Sequence, residues 1–188
     1  MRTVQPRSDL SAARAEAAAY DAALAHISRG DRRHHNVDLV EMGNIGRAVV
    51  RGEVEYRAGN HDAAFGALEE AVRLFDALPY DEPHGWIMSV RQTLGALLTE
   101  QGRLARAIEL YDEDLALFPR NPWALAGLAR CLRRASASAS AGEVKAGEVV
   151  HVSRLQEVEA ALEVARAKAD VPVGASCACA LRDWAEVA

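Results

Sequence analysis

The chain has 188 residues, half of them hydrophobic but only 5% aromatic, and a net charge of -5. That length suffices for one domain, or one short repeat array, with a real core. An apolar fraction rich in alanine suits closely packed helices better than a sheet of branched and aromatic residues. The mixed charges leave no clustered basic face, which argues against nucleic acid as a main partner, and the run Arg32-Arg33-His34-His35 is too short to change this. No stretch reaches the apolar length of a bilayer span, and Asp9 and Glu16 interrupt the start where a secretory signal would be apolar. Cys131, Cys177 and Cys179 are odd in number and lack framework spacing, so the expectation is reduced thiols in the cytoplasm or an organelle interior.

Leu10, Ala13, Ala17, Tyr20, Leu24 and Ile27 step by three and four, which predicts a first helix, with Ser8 or Asp9 as cap and Gly30 as stop. A polar loop from Gly30 to Asn36 follows. The second helix is predicted from Val37 to Ala58, broken by Gly59-Asn60, and the third from His61 to Ala77. Pro79 to Pro83 reads as a turn, with Asp81 as cap and Pro83 in the first turn of a fourth helix that runs to Glu100. The fifth covers Leu104 to Phe118 and ends at Pro119. Asn121-Pro122 opens the sixth, which runs to about Arg134, and Ser136 to Ser140 reads as a low-complexity, mobile break. Leu155, Val158, Leu162, Ala165 and Ala169 mark the last long helix, and from Val171 the chain is a tail with a short turn near Trp184.

A repeat carries the strongest signal. Gly52, Gly59, Ala64, Leu74 and Phe75 recur 43 residues later as Gly95, Gly102, Ala107, Leu117 and Phe118. Leu94, Gly95 and Leu98 recur 34 residues later as Leu128, Ala129 and Leu132. Small residues (Gly52, Gly95, Ala129, with Ala64 and Ala107) let paired backbones approach, and Gly59 and Gly102 supply the positive φ that ends a helix. Thirty-four residues is the tetratricopeptide period, and the longer step is that period plus an insertion around PYDEPHGWI. GALLTEQGRLARAIELYDEDLALFPRNP resembles the tetratricopeptide consensus, with a departure at Asp114 (alanine in the consensus), and the preceding unit departs at Asp76 (proline). DRRHHN (31–36), ALPYDEPHGW (77–86), VRQTLGALLTEQGR (90–103), YDEDL (111–115) and ADVPVGASCAC (169–179) further resemble a bacterial family of such proteins whose function is poorly defined. The resemblance implies an all-α, tetratricopeptide-like α-α superhelix of about seven helices in antiparallel pairs, and no catalytic activity. The helices and breaks read along the chain divide the single domain into an N-terminal helix and loop (1–36), core repeats (37–134), a flexible insertion (135–147), a final helix (148–170) and a tail (171–188).

In such a stack the first helix of each pair lines a concave face. That face would offer Val49, Glu53, Tyr56 and Arg57, then Ser89, Gln92, Thr93 and Ala96, then Trp123, Gly127 and Arg130, either to a partner peptide or to the chain's own first helix or tail. Val49, Glu53, Thr93 and Gly127 stand where a carboxylate clamp for chaperone C-termini needs lysine and asparagine, which argues against that mechanism. Tyr80, Asp81, His84 and Trp86 either grip a ligand at the rim or form a turn and cap with a packed Trp. Cys177 and Cys179 are weak candidates for a soft metal or a redox pair, with His34, His35 or Cys131 as further ligands, because zinc sites usually place two residues between cysteines. The function expected is therefore a non-catalytic protein-protein interaction module or scaffold, without cofactor, nucleic acid or membrane insertion, within a larger complex. The alternatives are a thiol or metal protein and a purely structural subunit.

Overall fold

The computed structural model describes residues 10–30, 32–139, 146–177 and 179, with side chains undescribed at 138–139 and 146–152. Seven helices occur among these residues: α1 (Leu10–Ala25), α2 (Leu39–Ala58), α3 (His61–Asp76), α4 (Val90–Glu100), α5 (Leu104–Leu117), α6 (Pro122–Ala139) and α7 (Ala146–Arg166). The chain divides into two compact units, residues 1–90 and 91–188. The fold is an all-α helical repeat.

In the first unit, α1 and α3 pack on α2. Glycines decide how closely. A Cβ at Gly52 would lie 2.5 Å from Leu68 Cγ, and one at Gly43 would lie 2.3 Å from Leu24 Cδ1. At Gly46 it would meet the Tyr20 hydroxyl at 2.3 Å, and that hydroxyl donates to the Gly43 carbonyl at 3.0 Å. The absence of a side chain at these positions is what admits the neighbouring helix. Gly59 has φ 88° and its N–H closes on the Glu55 and Tyr56 carbonyls, ending α2 as its residue type predicts. Ala64, Leu68, Ala71, Val72 and Phe75 of α3 are buried, the face expected from their spacing.

In the second unit α6 packs on both α5 and α7. Gly102 ends α4 with φ 75°, and Asn121 caps α6 by accepting from the Trp123 N–H at 3.1 Å. Helix α4 is buried nearly all round, with Leu94, Leu97 and Leu98 in the core and Arg91, Gln92 and Thr99 buried as polar residues.

Several boundaries differ from expectation. The loop before α2 is not strand-free: Arg33–His34 (β1) pairs antiparallel with Val37–Asp38 (β2). The cap of α2 is Asp38, whose carboxylate accepts from the N–H of Val40 (2.9 Å) and of Gly30 (2.6 Å). Helix α4 begins at Val90 rather than near Pro83. Residues 79–89 are held outside a helix because each side of the segment is already anchored on the first unit. Asp81 accepts from the Asn36 and Glu82 N–H groups (3.4 and 3.1 Å), His84 stacks on Phe75 at 4.5 Å, and Gly85 sits against Val37. The Glu82–Pro83 bond is cis. Residues Ser136 to Ala139 continue α6 instead of breaking it, since alternating alanine and serine contain neither glycine nor proline to stop a helix. The expected caps Ser8 and Asp9, the turn at Trp184, and Ser140 lie outside the described residues.

The two N–H groups on Asp38 hold its carboxyl below the ordinary carboxylate value. A lowered folded-state pKa contributes stability that is complete above the unfolded value of about 3.9 and disappears as pH falls through the lower folded one. Asp38→Asn should therefore melt below the wild type at pH 6, and the gap should close as pH drops below about 4. Melting curves showing a constant gap from pH 6 to strong acid would contradict this role for Asp38.

Candidate functional site

The second unit is organised around Tyr111, which is fully buried. A Cβ at Gly95 of α4 would lie 2.7 Å from its Cζ, and one at Gly127 of α6 only 2.2 Å from the same atom. The ring therefore occupies a slot that two glycines leave open. Its hydroxyl lies 2.6 Å from Ser176 Oγ. Burial pushes the Tyr111 phenol far above its ordinary pKa, so it stays protonated, and either hydroxyl of the pair can donate to the other.

This brings the tail onto the face expected to receive a partner. Thr93 Oγ1 lies 3.5 Å from Cys177 Sγ, and Arg166 fixes the tail by donating to the Val173 carbonyl at 3.1 and 2.8 Å. Gln92 and Ala96 are buried, and Gly127 is covered by Tyr111 rather than open. Gln92 donates to Asp114 at 3.1 Å, and Asn121 donates to the same carboxylate oxygen at 3.4 Å. The acidic departure from the repeat consensus thus joins α4, α5 and the start of α6 by hydrogen bonds, which a buried carboxylate requires. Glu113 answers Arg91 at 3.0 Å and Arg106 at 3.0 Å, and although burial pushes its carboxyl up, these two guanidiniums bring it below the ordinary value.

Two other expected residues face clefts. Trp123 is 41% exposed and, with Ala161, Val164, Ala165 and Val171, lines a cleft of about 370 Å³ whose charged lining residues are Arg120, Lys168 and Asp170. Arg130 lines a second cleft of about 520 Å³ beside the tail. Sequence reasoning missed Val164 and Val171, both at least half exposed, because α7 reads as a core helix and its outer face carries no pattern of its own.

In the first unit, Tyr56 is buried between His61 (4.9 Å) and Phe65 (6.1 Å) and is a core residue, not a groove residue. Arg57 lies 5.7 Å over the Tyr56 ring, and burial raises the Glu53 carboxyl pKa against the pull of Arg57. Tyr80 is 77% exposed with its hydroxyl donating to Glu82, whereas Asp81 is buried and His35 Nδ1 stands 3.7 Å from it. Trp86 is half-buried next to Gly46. The PYDEPHGW segment thus works mainly as an anchored turn, and of its four expected contact residues only Tyr80 is largely exposed.

Cys177 and Cys179 are joined by a disulfide, which corrects the expectation of three reduced thiols and removes both as thiolate ligands. Cys131 remains a free thiol and is buried. Thr99 donates to the Gly95 carbonyl at 2.6 Å, so its oxygen, 2.9 Å from Cys131 Sγ, accepts from the thiol, and burial raises the Cys131 pKa. Among the described residues no group of three His, Cys, Asp or Glu could hold a metal ion, and no helix is long and apolar enough to cross a membrane.

Two family models, each described as a tetratricopeptide repeat, match residues 48–120 and residues 98–143. The chain belongs to the tetratricopeptide-repeat proteins. In this family the repeats generally mediate protein-protein interaction or scaffolding, and they are typically non-catalytic. No curated protein and no solved structure matches this tetratricopeptide-repeat chain.

Thiol titration checks the cysteine assignment. The native protein should show no rapidly reacting thiol, the denatured unreduced protein one (Cys131), and the denatured reduced protein three. Three thiols in the denatured protein before reduction would contradict the Cys177–Cys179 pairing.

Proposed function

We propose that this tetratricopeptide-repeat chain is a non-catalytic interaction module that docks a partner protein or peptide, as a scaffold subunit of a larger cytoplasmic complex. The observation that carries the reading is the cleft around Trp123. Trp123, Val164 and Val171 are 41%, 58% and 50% exposed and lie on one cleft wall system, between the start of α6 and the end of α7. Three large apolar side chains held in water, on α6, on α7 and just after it, cost solvation that a partner would recover, and an exposed tryptophan has the composition of an interaction hot spot. Arg120 and Lys168 outnumber Asp170 among the lining residues, which favours an acidic edge on that partner. Glu53, Arg57, Tyr80 and Arg130 are secondary contacts on this reading. Tyr56, Gln92 and Asp81 serve the core instead.

A second reading has its own observation. The tail covers Thr93 and Tyr111 through Cys177 and Ser176, which favours a structural subunit whose repeat face is filled by its own chain. The two readings separate experimentally. With the protein as bait in its native source, Trp123→Ala should lower recovery of its specific partner at least tenfold, about 1.4 kcal/mol, while leaving the melting temperature within a few degrees. Unchanged partner recovery from both Trp123→Ala and Val164→Glu would rule out the cleft as the docking site and favour the structural reading.

A further inference from the structure

Exposed apolar surface on this chain is gathered rather than scattered. Among the described residues, seven large hydrophobic side chains are exposed. Trp123, Val164 and Val171 line the cleft of the second unit, and Leu117 stands three residues before Arg120 in the same unit. The other three, Tyr80, Ile87 and Met88, all lie in the 80–88 segment of the first unit, where they are 77%, 87% and 59% exposed. Single apolar residues on a surface need no explanation, whereas groups of them mark contact surfaces.

The 80–88 segment is held in place by its inward side chains. The Asp81 carboxylate accepts from the Asn36 N–H, His84 stacks on Phe75, Gly85 meets Val37, and Trp86 stands beside Gly46. Asn36 also donates from its side chain to the Tyr80 carbonyl at 3.1 Å. These contacts leave Tyr80, Ile87 and Met88 facing outward on a backbone already ordered. Such a segment loses less conformational entropy on docking than a free loop does.

Its charge is opposite to that of the cleft. From Asp76 to Val90 the sequence holds three carboxylates, Asp76, Asp81 and Glu82, and neither lysine nor arginine. Glu82 is exposed, and its carboxylate accepts from the Tyr80 hydroxyl, a neutral donor that leaves the charge uncancelled. Arg33 reaches the same loop at the Asn36 carbonyl instead. The cleft carries Arg120 and Lys168 against Asp170, and among the described residues neither cation forms an ion pair. At about 370 Å³ the cleft is near the low end for small-molecule sites, roughly 300–1,000 Å³, and its apolar lining suits a few aliphatic side chains.

We propose that the Trp123 cleft receives the 80–88 segment of a second copy of this chain, with Ile87 and Met88 against Trp123, Val164 and Val171 and with Glu82 toward Arg120 and Lys168. This rests on the docking role given to the cleft above and names its occupant. Opposite charges at the edge set the orientation, and the apolar pair supplies the burial. Each chain carries both halves of the contact. Met reciprocally they give a twofold dimer, and met head to tail a ring or an open string.

The test is sedimentation equilibrium of the full chain, with variants in each half. The wild type should associate reversibly as its concentration rises to roughly 300 µM, as a small transient interface does. Trp123→Ala and Ile87→Glu should each weaken association at least tenfold, and Glu82→Lys at least threefold. An equimolar mixture of Trp123→Ala and Ile87→Glu should form pairs that neither forms alone, since one keeps the segment and the other keeps the cleft. Ile87 and Glu82 are exposed, so their variants should fold, and Val164→Glu stands in for Trp123→Ala if that variant melts far below the wild type. A wild type that stays monomeric, association unchanged in any of these variants, or a mixture no more associated than its components would overturn the proposal. A monomeric wild type whose partner recovery is still lost in Trp123→Ala would overturn self-association alone and leave the cleft as the docking site of a different protein.

Discussion

Tyr111 fixes how three helices of the second unit approach one another. Its ring, carried on α5, fills the space that Gly95 leaves on α4 and Gly127 leaves on α6. Any side chain at those two positions would overlap the ring, so ring and glycines specify one another. The first unit uses the same device in a simpler form. Leu68 stands 43 residues before Tyr111, as Gly52 stands 43 before Gly95, and Leu68 fills the Gly52 slot. A leucine reaches one glycine. A tyrosine reaches two, and its hydroxyl then extends to Ser176 in the tail.

That extra reach connects the repeat to the candidate site. Because Tyr111 ends at Ser176, the tail is seated over α4 and α5, with Arg166 holding Val173 and Thr93 meeting Cys177. The tail covers Thr93 and Tyr111 there, and Gly174, Ala175 and Ser176 line the cleft that Arg130 also lines. Exposed apolar surface suited to a partner is then found elsewhere on the second unit, around Trp123. Buried polar residues follow the same logic. Asp114 is kept inside by amide donors from α4 and from the start of α6, so the residue that breaks the alanine rule of the repeat replaces a close contact with hydrogen bonds.

The helices and their turns were legible because their signals are local. Three-four spacing marked the buried faces, Gly59 and Gly102 marked turns by the φ they permit, and Asn121 marked a cap. The repeat itself was legible from small residues at fixed offsets. What escaped depends on distant partners. Asp81 reads as a helix cap until Asn36 claims its carboxylate, and Tyr56 reads as a groove residue until His61 and Phe65 enclose it. The Cys177–Cys179 bond has no framework spacing to announce it.

The most direct measurement is a double-mutant cycle on the slot itself, using Gly127→Ala and Tyr111→Leu with unfolding free energy as readout. The atoms that a Cβ at residue 127 would meet, Tyr111 Cζ, Cε1 and the hydroxyl at 2.2, 2.4 and 2.5 Å, are absent from leucine. Gly127→Ala should cost about 1–3 kcal/mol beside tyrosine and become neutral or slightly stabilising beside leucine, where only the helix preference for alanine remains. An equal cost in both backgrounds would mean that the ring and the glycine do not constrain each other, and the account of how these helices meet would fail.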